Sequence, residues 1–580
     1  MIKKSINRAL IYRLATIIGM ALIMVYFIEC NAYAQSGSFW DDTDLQPFAT
    51  SGSISFDANA YTADGIENRR SPTVLRTDVG MNVNTFGFRS GFNINYSTDD
   101  TGLRQNMNTI SYSATWRWLN IQAGDINTRF SEYSLNGASI RGGYIRAEPG
   151  NFLVELIAGR ARRAVRPSLE QGFREPAFER WSGGAKLGVG RETGSYFHLS
   201  TYYSIDERAS LTGEEVEITA QENITITPDF KVDFFDGRFS LESEVTVSAF
   251  TRDLGSSPID LTEIPYPSFL ANIYLPRNTT RVNYAGQAFA NFVSNPFDLT
   301  LGYERIQPGF ISHGRSRTRD DHERISLSPS IRMLNNRVNL QSNIVLGRDN
   351  LLGSRLQTQS DTNINTNLQI MFTDYFSLNT NYDLFLNDVT PQDDQGFEQS
   401  QVSHNIMVQP SFNFRTGDYS HTFSISGSFM TIENTFSDDV LGDDSSLSET
   451  ISGNANYSIR FPGGLSANLS GNYMVNTSGQ ADITNVGVNA GTSYAFFDRS
   501  LTLSVNGGYS QNSVEREMFN GAGTDVNSIQ QITGTINASY RLSSKDSLTL
   551  TVRTRVNSVR EGTGSEFQEL EGAFRYQRTF

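Results

Sequence analysis

The most constraining feature of this chain is an alternation of apolar and polar residues that recurs over most of its length. In one segment Leu501 and Val505 share a face, while Thr502 lies on the other. A period of two places alternate side chains on opposite faces of a β-strand. Similar segments lie at 363–372 and 548–557, and many runs span 10 to 14 residues. Globular strands average about 5 or 6 residues, whereas a strand that crosses a bilayer needs about 9 to 11.

The alternating segments are separated by connections of two lengths, short turns and long loops, which follow each other in turn. Long polar segments at 388–401, 433–447 and 512–527 are predicted to be loops. Between the long loops lie short turns at Asp236-Gly237, Asn295-Pro296, Asn335-Asn336, Asp374-Tyr375, Gly417-Asp418, Pro462-Gly463, Asp498-Arg499 and Lys545-Asp546. Short turns at one end and long loops at the other are typical of transmembrane β-barrels.

Counting these segments predicts an all-β fold, a transmembrane antiparallel up-and-down β-barrel. A single strand at 51–61 is followed by about twelve hairpins and by a last single strand at 566–580. The total is about 26 strands, with 22 and 24 as alternatives, and both ends of the barrel then lie on the periplasmic side. The two hairpins between residues 106 and 165 have the least regular pattern.

Aromatic residues gather beside the short turns. Amphipathic rings settle at the level of lipid headgroups, so aromatic strand ends that recur from hairpin to hairpin predict an interfacial girdle. The alternative is ordinary packing at hairpin ends. The residues concerned are Phe234, Phe235, Phe239, Phe292, Phe297, Phe372, Tyr375, Phe376, Phe412, Phe414, Tyr419, Phe496 and Phe497.

Residues 1–34 have the features of a secretory signal peptide. A basic start is followed by an apolar stretch and by Ala32-Tyr33-Ala34, a small-residue cleavage site. The predicted organisation is therefore a signal peptide (1–34), a short periplasmic segment (35–50) and the barrel (51–580). The one cysteine, Cys30, would be removed with the signal. The chain carries a formal net charge of −15, which argues against nucleic acid as a partner.

The last strand ends on Phe580 and carries Tyr576 and Phe574 in the same alternating series. This ending resembles the terminal strand of bacterial outer-membrane β-barrel proteins, although Arg578 stands where an aromatic residue is usual in them. The resemblance implies that the barrel-assembly machinery reads this strand. It also implies an outer-membrane location, with lipid and lipopolysaccharide around the barrel. The final strand should then pair with the strand that begins near Ser51.

A barrel of this size encloses a wide lumen, and the sequence offers one internal candidate to narrow it. The segment 35–50 is too short for the folded plug that energised transporters carry there. The loop at 251–278 is long, apolar and stiffened by proline, with Pro258, Pro265, Pro267 and Phe269 among its residues. Such a loop could fold inward as a constriction, and it could equally fold on itself at the surface.

Arginine is concentrated between residues 141 and 180. Arg141, Arg160, Arg162, Arg163 and Arg166 could contact lipopolysaccharide phosphates or guide an anionic substrate through the pore. The alternative is that they pair with acidic residues of neighbouring strands.

Nothing in the chain predicts a cofactor, a metal site or an enzyme. The acidic pairs Asp393-Asp394, Asp438-Asp439 and Asp443-Asp444 lack the spacing of a calcium loop and favour plain solvation. Of five histidines, His322 alone lies in a suggestive cluster, Asp320-Asp321-His322-Glu323. One short cluster does not supply the mutual geometry that catalysis requires.

The sequence therefore predicts an outer-membrane barrel that acts as a passive channel or a translocation pore for an unidentified cargo. Its width favours a macromolecular cargo, with a plug or a periplasmic lipoprotein as a partner. The alternative is a non-conducting structural barrel that acts as a scaffold or adhesin. A third hypothesis is a soluble secreted β-repeat protein.

Overall fold

A computed structural model of the chain describes residues 48–99, 108–166, 176–211, 218–261, 273–315, 319–392, 398–437, 444–479, 481–517 and 523–580. The predicted signal peptide and most of segment 35–50 lie outside these ranges. Within them, no helix combines the length and hydropathy needed to cross a membrane. The regular structure is a succession of β-strands and a single 3-10 turn at Arg208–Ser210.

The first thirteen strands are β1 (Ala49–Asp64), β2 (Thr73–Thr85), β3 (Phe88–Ser97), β4 (Thr109–Trp116), β5 (Leu119–Asn127), β6 (Ser139–Ala147), β7 (Phe152–Arg162), β8 (Glu179–Gly190), β9 (Tyr196–Glu207), β10 (Glu222–Phe234), β11 (Phe239–Thr251), β12 (Thr280–Val293) and β13 (Phe297–Ile306). The other thirteen are β14 (His322–Met333), β15 (Val338–Asp349), β16 (Gln357–Thr373), β17 (Phe376–Pro391), β18 (Glu398–Thr416), β19 (Tyr419–Ser437), β20 (Asp444–Arg460), β21 (Ser466–Ser478), β22 (Ala481–Phe496), β23 (Leu501–Glu517), β24 (Thr524–Arg541), β25 (Asp546–Glu561) and β26 (Phe567–Thr579).

Every strand pairs antiparallel with its neighbour in sequence, and β26 pairs with β1 to close one 26-stranded sheet. The predicted fold class and strand number are confirmed, including the two least regular hairpins, which form β4 to β7. At the seam the Phe580 N–H donates to the Gly52 carbonyl at 3.0 Å, and the Gly52 N–H donates back to the Phe580 carbonyl at 2.9 Å. Closure leaves none of the 26 described strands with an unpaired edge.

The two faces of the sheet differ as the alternation predicts. Val505, Ile536 and Val552 lie side by side on β23, β24 and β25, and together they form part of an apolar outer face. Val505 is 42% exposed and Ile536 50%. On each of these strands, the residues that alternate with the apolar ones point to the lumen. Large exposed apolar side chains thus face away from the lumen on strands around the barrel.

Both described chain ends, the short turns and the aromatic residues gather at one end of the barrel. Phe235 and Phe497 are 77% and 74% exposed in their turns. The rings of Phe376 and Phe412 stack across neighbouring strands at 4.6 Å. Further exposed aromatic residues, which were not predicted to belong to the girdle, lie beside short turns: Phe86, Phe88, Trp116, Trp118 and Phe152.

The long loops of the C-terminal half are shorter than the sequence predicts. The strands continue into the predicted loops 388–401, 433–447 and 512–527: β17 ends at Pro391 and β18 begins at Glu398, β19 ends at Ser437 and β20 begins at Asp444, and β23 ends at Glu517 and β24 begins at Thr524. Backbone pairing does not require an apolar face, and where both faces meet water the alternation that marks a strand disappears. The prediction that each strand ends where the alternation of apolar and polar residues stops was therefore wrong.

Candidate functional site

The lumen is lined by two walls of different character. On the wall formed by β6 to β13, here called the covered wall, two inward-folded loops bury the lumenal side chains. These are loop 128–138, between β5 and β6, and loop 307–315, which follows β13. The three buried apolar clusters of the described chain all lie between Ile126 and Phe310. This wall therefore has a packed interior of its own.

Loop 128–138 is held at its tip by a carboxylate of β11. The backbone N–H groups of Glu132 and Tyr133 donate to the two oxygens of Glu244, each at 3.0 Å. The Tyr133 hydroxyl donates to Glu304 at 2.8 Å on β13. Successive backbone N–H groups that converge on one anion form a strong, charge-assisted contact. Burial raises the pKa of Tyr133, so its hydroxyl keeps the proton that it donates.

The base of the same loop packs on β8. The Lys186 ammonium donates to the Phe130 carbonyl at 2.9 Å. The Phe130 ring lies against Gly184, where a Cβ would come within 2.8 Å of the ring. Ile157 and Tyr202 complete the apolar cluster around the ring. Glycine at 184 is thus required for the close approach of the loop to the wall.

Loop 307–315 is anchored through His313. Its Nδ1 lies 2.7 Å from the Ser204 hydroxyl, and its Nε2 lies 3.3 Å from the Gln221 amide oxygen. Burial, followed by the charges of Arg180 and Arg162, lowers the pKa of His313, which leaves the ring neutral. Because Gln221 offers an oxygen, Nε2 donates and Nδ1 accepts from Ser204. The contact therefore selects one neutral tautomer of the ring.

The two loops also bind each other. The Ser312 hydroxyl donates to the Ser134 carbonyl at 2.6 Å, and the Asn136 N–H donates to the Gly314 carbonyl at 2.8 Å. A Cβ on Gly314 would lie 2.2 Å from the Ser134 carbonyl oxygen, so this meeting point requires glycine. Arg315 pairs with Glu132 at 3.1 Å. The loops therefore form one rigid unit on the covered wall.

The wall formed by β16 to β24, here called the open wall, carries no such cover among the described residues. Of the residues described between β16 and β24, only Ser528 has a buried side chain. Amides and hydroxyls line its lumenal face: Asn367 donates to Asn379 at 2.9 Å, and Asn472 donates to Asn485 at 2.9 Å. Cross-strand amide pairs of this kind leave donors and acceptors for water and solutes. The open wall is therefore a polar, mostly uncharged surface.

The predicted arginine sites separate onto both faces of the barrel. Arg162 points inward and pairs with Asp206 at 3.2 Å, where Arg180 also binds. Arg141 follows the inward Ile140 and so lies on the outer face, where it pairs with Asp125 at 2.7 Å. Arg160 lies beside Arg141 in register and pairs with Glu179 at 3.4 Å.

The remaining predicted arginines follow β7. Arg163 is partly buried and Arg166 is exposed. Arg141 and Arg160 lie together near the long-loop end of the outer face, and Arg162 and Arg163 line the same recess, which Arg166 does not reach.

The predicted constriction loop is described only at its two ends. Pro258 is exposed and forms an isolated bridge with Arg277, and Leu254 packs with Phe178. Pro265, Pro267 and Phe269 lie outside the described residues. The loops that the structure shows folded into the lumen are 128–138 and 307–315. Their apolar residues Phe130, Tyr133 and Phe310 are the sequence signal that could have predicted this.

The cluster around His322 divides over both faces. His322 is buried and lies 3.7 Å from Glu304, whereas the next residue, Glu323, pairs with Arg305 at 2.9 Å on the outer face. The Asp320 carboxylate accepts from the Gly309 N–H. In the part of the chain that is described, no group of three or more His, Cys, Asp or Glu side chains is placed to hold a metal ion. Of the acidic pairs, only Asp444 lies within it.

No protein-family model and no curated protein matches this chain. Solved structures with some similarity include OccK2 (OpdF) of Pseudomonas aeruginosa in complex with glucuronate, at 9% identity and a TM-score of 0.28 over 92% of this chain and 98% of that one. The siderophore receptor PirA of Acinetobacter baumannii has 12% identity and a TM-score of 0.39 over 92% and 80%. The P pilus usher PapC translocation pore has 11% identity and a TM-score of 0.23 over 92% and 99%. These values assign neither a family nor a cargo.

Proposed function

We propose that this protein is a passive channel of the bacterial outer membrane that conducts small polar solutes along its open wall. The observation that carries the proposal is the contrast inside one closed barrel between a covered wall and an uncovered wall of amides and hydroxyls. Polar groups that line a water-filled lumen and an apolar outer face in lipid are the two requirements of such a channel.

The outer face supports the membrane location. Exposed apolar side chains in cross-strand rows, such as Val505 and Ile536, would be a liability in water and are stable against lipid. The aromatic residues at the short-turn end would lie at the periplasmic headgroups, and the long loops would face outside. On the outer face near the long loops, Arg141 and Arg160 would contact lipopolysaccharide phosphates.

The two inward loops favour small solutes over a folded cargo. They occupy the lumen beside the covered wall, and the Glu244 and His313 contacts hold them in place. We expect the Phe580 end to act as the signal that the barrel-assembly machinery reads, so removal of Phe580 should reduce the folded barrel recovered in membranes.

Planar-bilayer recording of the purified full-length protein tests the proposal. A channel gives stepwise conductance that scales with the bulk conductivity of the salt. Recovery in outer-membrane fractions and heat-modifiable migration in detergent should accompany it. A folded barrel that inserts without any conductance would contradict the channel and support a non-conducting scaffold or adhesin. Recovery as a soluble protein would contradict both.

A further inference from the structure

A compact group of charges lies on the lumenal face where the barrel closes. It is here called the seam arginine cluster, and its members are Arg69, Arg70, Arg553, Arg555, Glu569 and Glu571. The register places Arg553 opposite Glu571 and Arg555 opposite Glu569 on β25 and β26. Arg69 and Arg70 reach in from the loop between β1 and β2, at the long-loop end. The cluster therefore stands at the mouth of the lumen that would face outside.

Four arginines share two carboxylates in this cluster. Glu571 lies 3.2 Å from Arg70 and 3.8 Å from Arg553. Glu569 lies 3.7 Å from Arg69 and 3.5 Å from Arg555. All four separations exceed the length of a charge-assisted hydrogen bond, about 2.7 to 2.9 Å. The guanidinium groups therefore keep unused N–H donors, and the cluster has an excess of two positive charges.

The arginine side chains of the cluster are much more exposed than its glutamate side chains. The arginine side chains are 47% to 66% exposed, whereas those of Glu569 and Glu571 are 13% and 24% exposed. The Tyr61 hydroxyl donates to Glu569 at 2.6 Å and covers one of its oxygens. A solute that arrives from the lumen thus meets the cationic groups first, with the carboxylates beneath them.

The cluster encloses a recess that could hold a small molecule. The hydroxyl-bearing Thr533 and Thr535 of β24 line it together with Tyr61 and the charged residues. A guanidinium presents a fork of N–H donors that matches the two oxygens of a carboxylate or a phosphate. Arginine pairs arranged around an open recess, in a chain whose net charge is negative, are not needed for solubility.

We propose that the seam arginine cluster binds a small organic dianion, with carboxylate or phosphate groups, at the outer mouth of the lumen. The excess of two positive charges matches a dianion. The assignment rests on the proposed function, since solutes must reach the lumen. Binding itself can be measured without conduction, so the two proposals can fail separately.

Calorimetric titration of the full-length protein in detergent at low salt tests the site. Succinate and glycerol 3-phosphate are titrated separately, with succinamide as the neutral probe. We expect at least one dianion to bind, and Arg553→Gln with Arg555→Gln to weaken it by about tenfold or more, since each lost contact is charge-assisted. The tighter dianion distinguishes carboxylate from phosphate recognition.

The matched control removes two arginine charges elsewhere. Arg332 pairs with Asp298 and Arg337 pairs with Asp374, both at the short-turn end. Arg332→Gln with Arg337→Gln should leave dianion affinity within about twofold, because screening limits distant charges. A second variant, Glu569→Gln with Glu571→Gln, should tighten binding, which separates recognition from misfolding.

Three outcomes would overturn the proposal: no binding of either dianion, equal binding of succinamide, or equal loss in the control. Heat-modifiable migration of every variant verifies that the barrel is folded. If dianions bind as expected while bilayers stay silent, the site stands and the channel function fails. If bilayers conduct and no dianion binds, the channel stands and the site fails.

Discussion

The covered wall and the open wall are made of the same alternating antiparallel strands, yet their lumenal residues behave in opposite ways. On the covered wall, Glu244 is buried and receives two backbone N–H groups from loop 128–138. On the open wall, Asn472 and its partner Asn485 bind each other and remain accessible. The difference lies in what the connecting loops do, because the strands themselves are equivalent.

The comparison teaches that ionisable and neutral polar linings serve different ends in this barrel. Buried charges need partners, and on the covered wall the loops supply them. Neutral amides can satisfy one another along a wall and still face water. Ionisable residues on a lumenal face therefore indicate either a docked loop, as at Glu244, or an exposed binding surface, as proposed for the seam arginine cluster.

Replacing loop residues 129–137 with a glycine-serine linker should have the largest effect. Without the tip that binds Glu244, the covered wall becomes accessible to ions, and the conductance in planar bilayers should rise on the order of twofold. The control replaces residues 462–464, an exposed turn of the open wall, with the same kind of linker. Unchanged conductance in a folded loop variant would show that the loop does not narrow the passage.

Removing the Glu244 carboxylate should weaken the docking of loop 128–138 without removing the loop, so we expect a smaller effect than that of the linker. Glu244→Ala leaves the Glu132 and Tyr133 N–H groups without their acceptor, which costs about 1 to 3 kcal/mol for each buried group. We expect current fluctuations between two conductance levels in bilayers. Glu242→Ala, two residues nearer the short turn on the same strand, is the matched control. Fluctuations of equal frequency in both variants would contradict the anchoring role.

Acidification should loosen loop 307–315 through His313. The docked ring has a lowered pKa and stays neutral, whereas a released ring takes up a proton below its ordinary pKa of about 6.5. Docking is therefore complete above that pH and weakens as the pH falls below it, by up to about tenfold per pH unit. Bilayer recordings between about pH 7.5 and pH 5.5 measure how often the channel shows the conductance level of the state in which loop 307–315 is released. His313→Gln should remove the dependence, and its persistence there would exclude His313 as the cause.

The open wall should give the smallest response. Asp383 is one of its few charges, and it accepts from Asn381 at 2.6 Å and Asn405 at 3.1 Å. Asp383→Asn should lower the ratio of cation to anion permeability by less than about twofold, as measured by reversal potentials, because few other charges line this wall. A larger shift would mean that the passage is narrowest at Asp383 and would revise the view of the open wall.

Much of the fold was predictable, because alternation of the kind seen at Leu501 to Tyr509 reports which face of a strand meets an apolar environment. The strand count, the closing pair and the positions of the short turns follow from it. Strand ends at the long loops were not predictable in the same way, since the mostly polar residues 433–437 extend β19 without a clear alternation. The pattern vanishes there although the backbone pairing continues.

The candidate site was mostly beyond the reach of the sequence. Glu244, His313 and Gly314 carry no motif, and their roles depend on residues about 90 to 180 positions away in the chain, as with Gly314 and Ser134. The apolar residues of loops 128–138 and 307–315 were the available signal, since Phe130, Leu135 and Phe310 in polar loops require a partner surface.

The amino-acid sequence by itself determined a closed all-β barrel with an apolar exterior, since a period of two assigns every side chain to one face or the other. Tertiary structure alone decided which lumenal side chains are buried and which are open. Loops 128–138 and 307–315 fold back across strands that are remote in sequence, and local periodicity holds no information about where a loop will find its hydrogen-bond partners. For the same reason, only closure of β26 on β1 brings Glu569 and Glu571 next to Arg69 and Arg70.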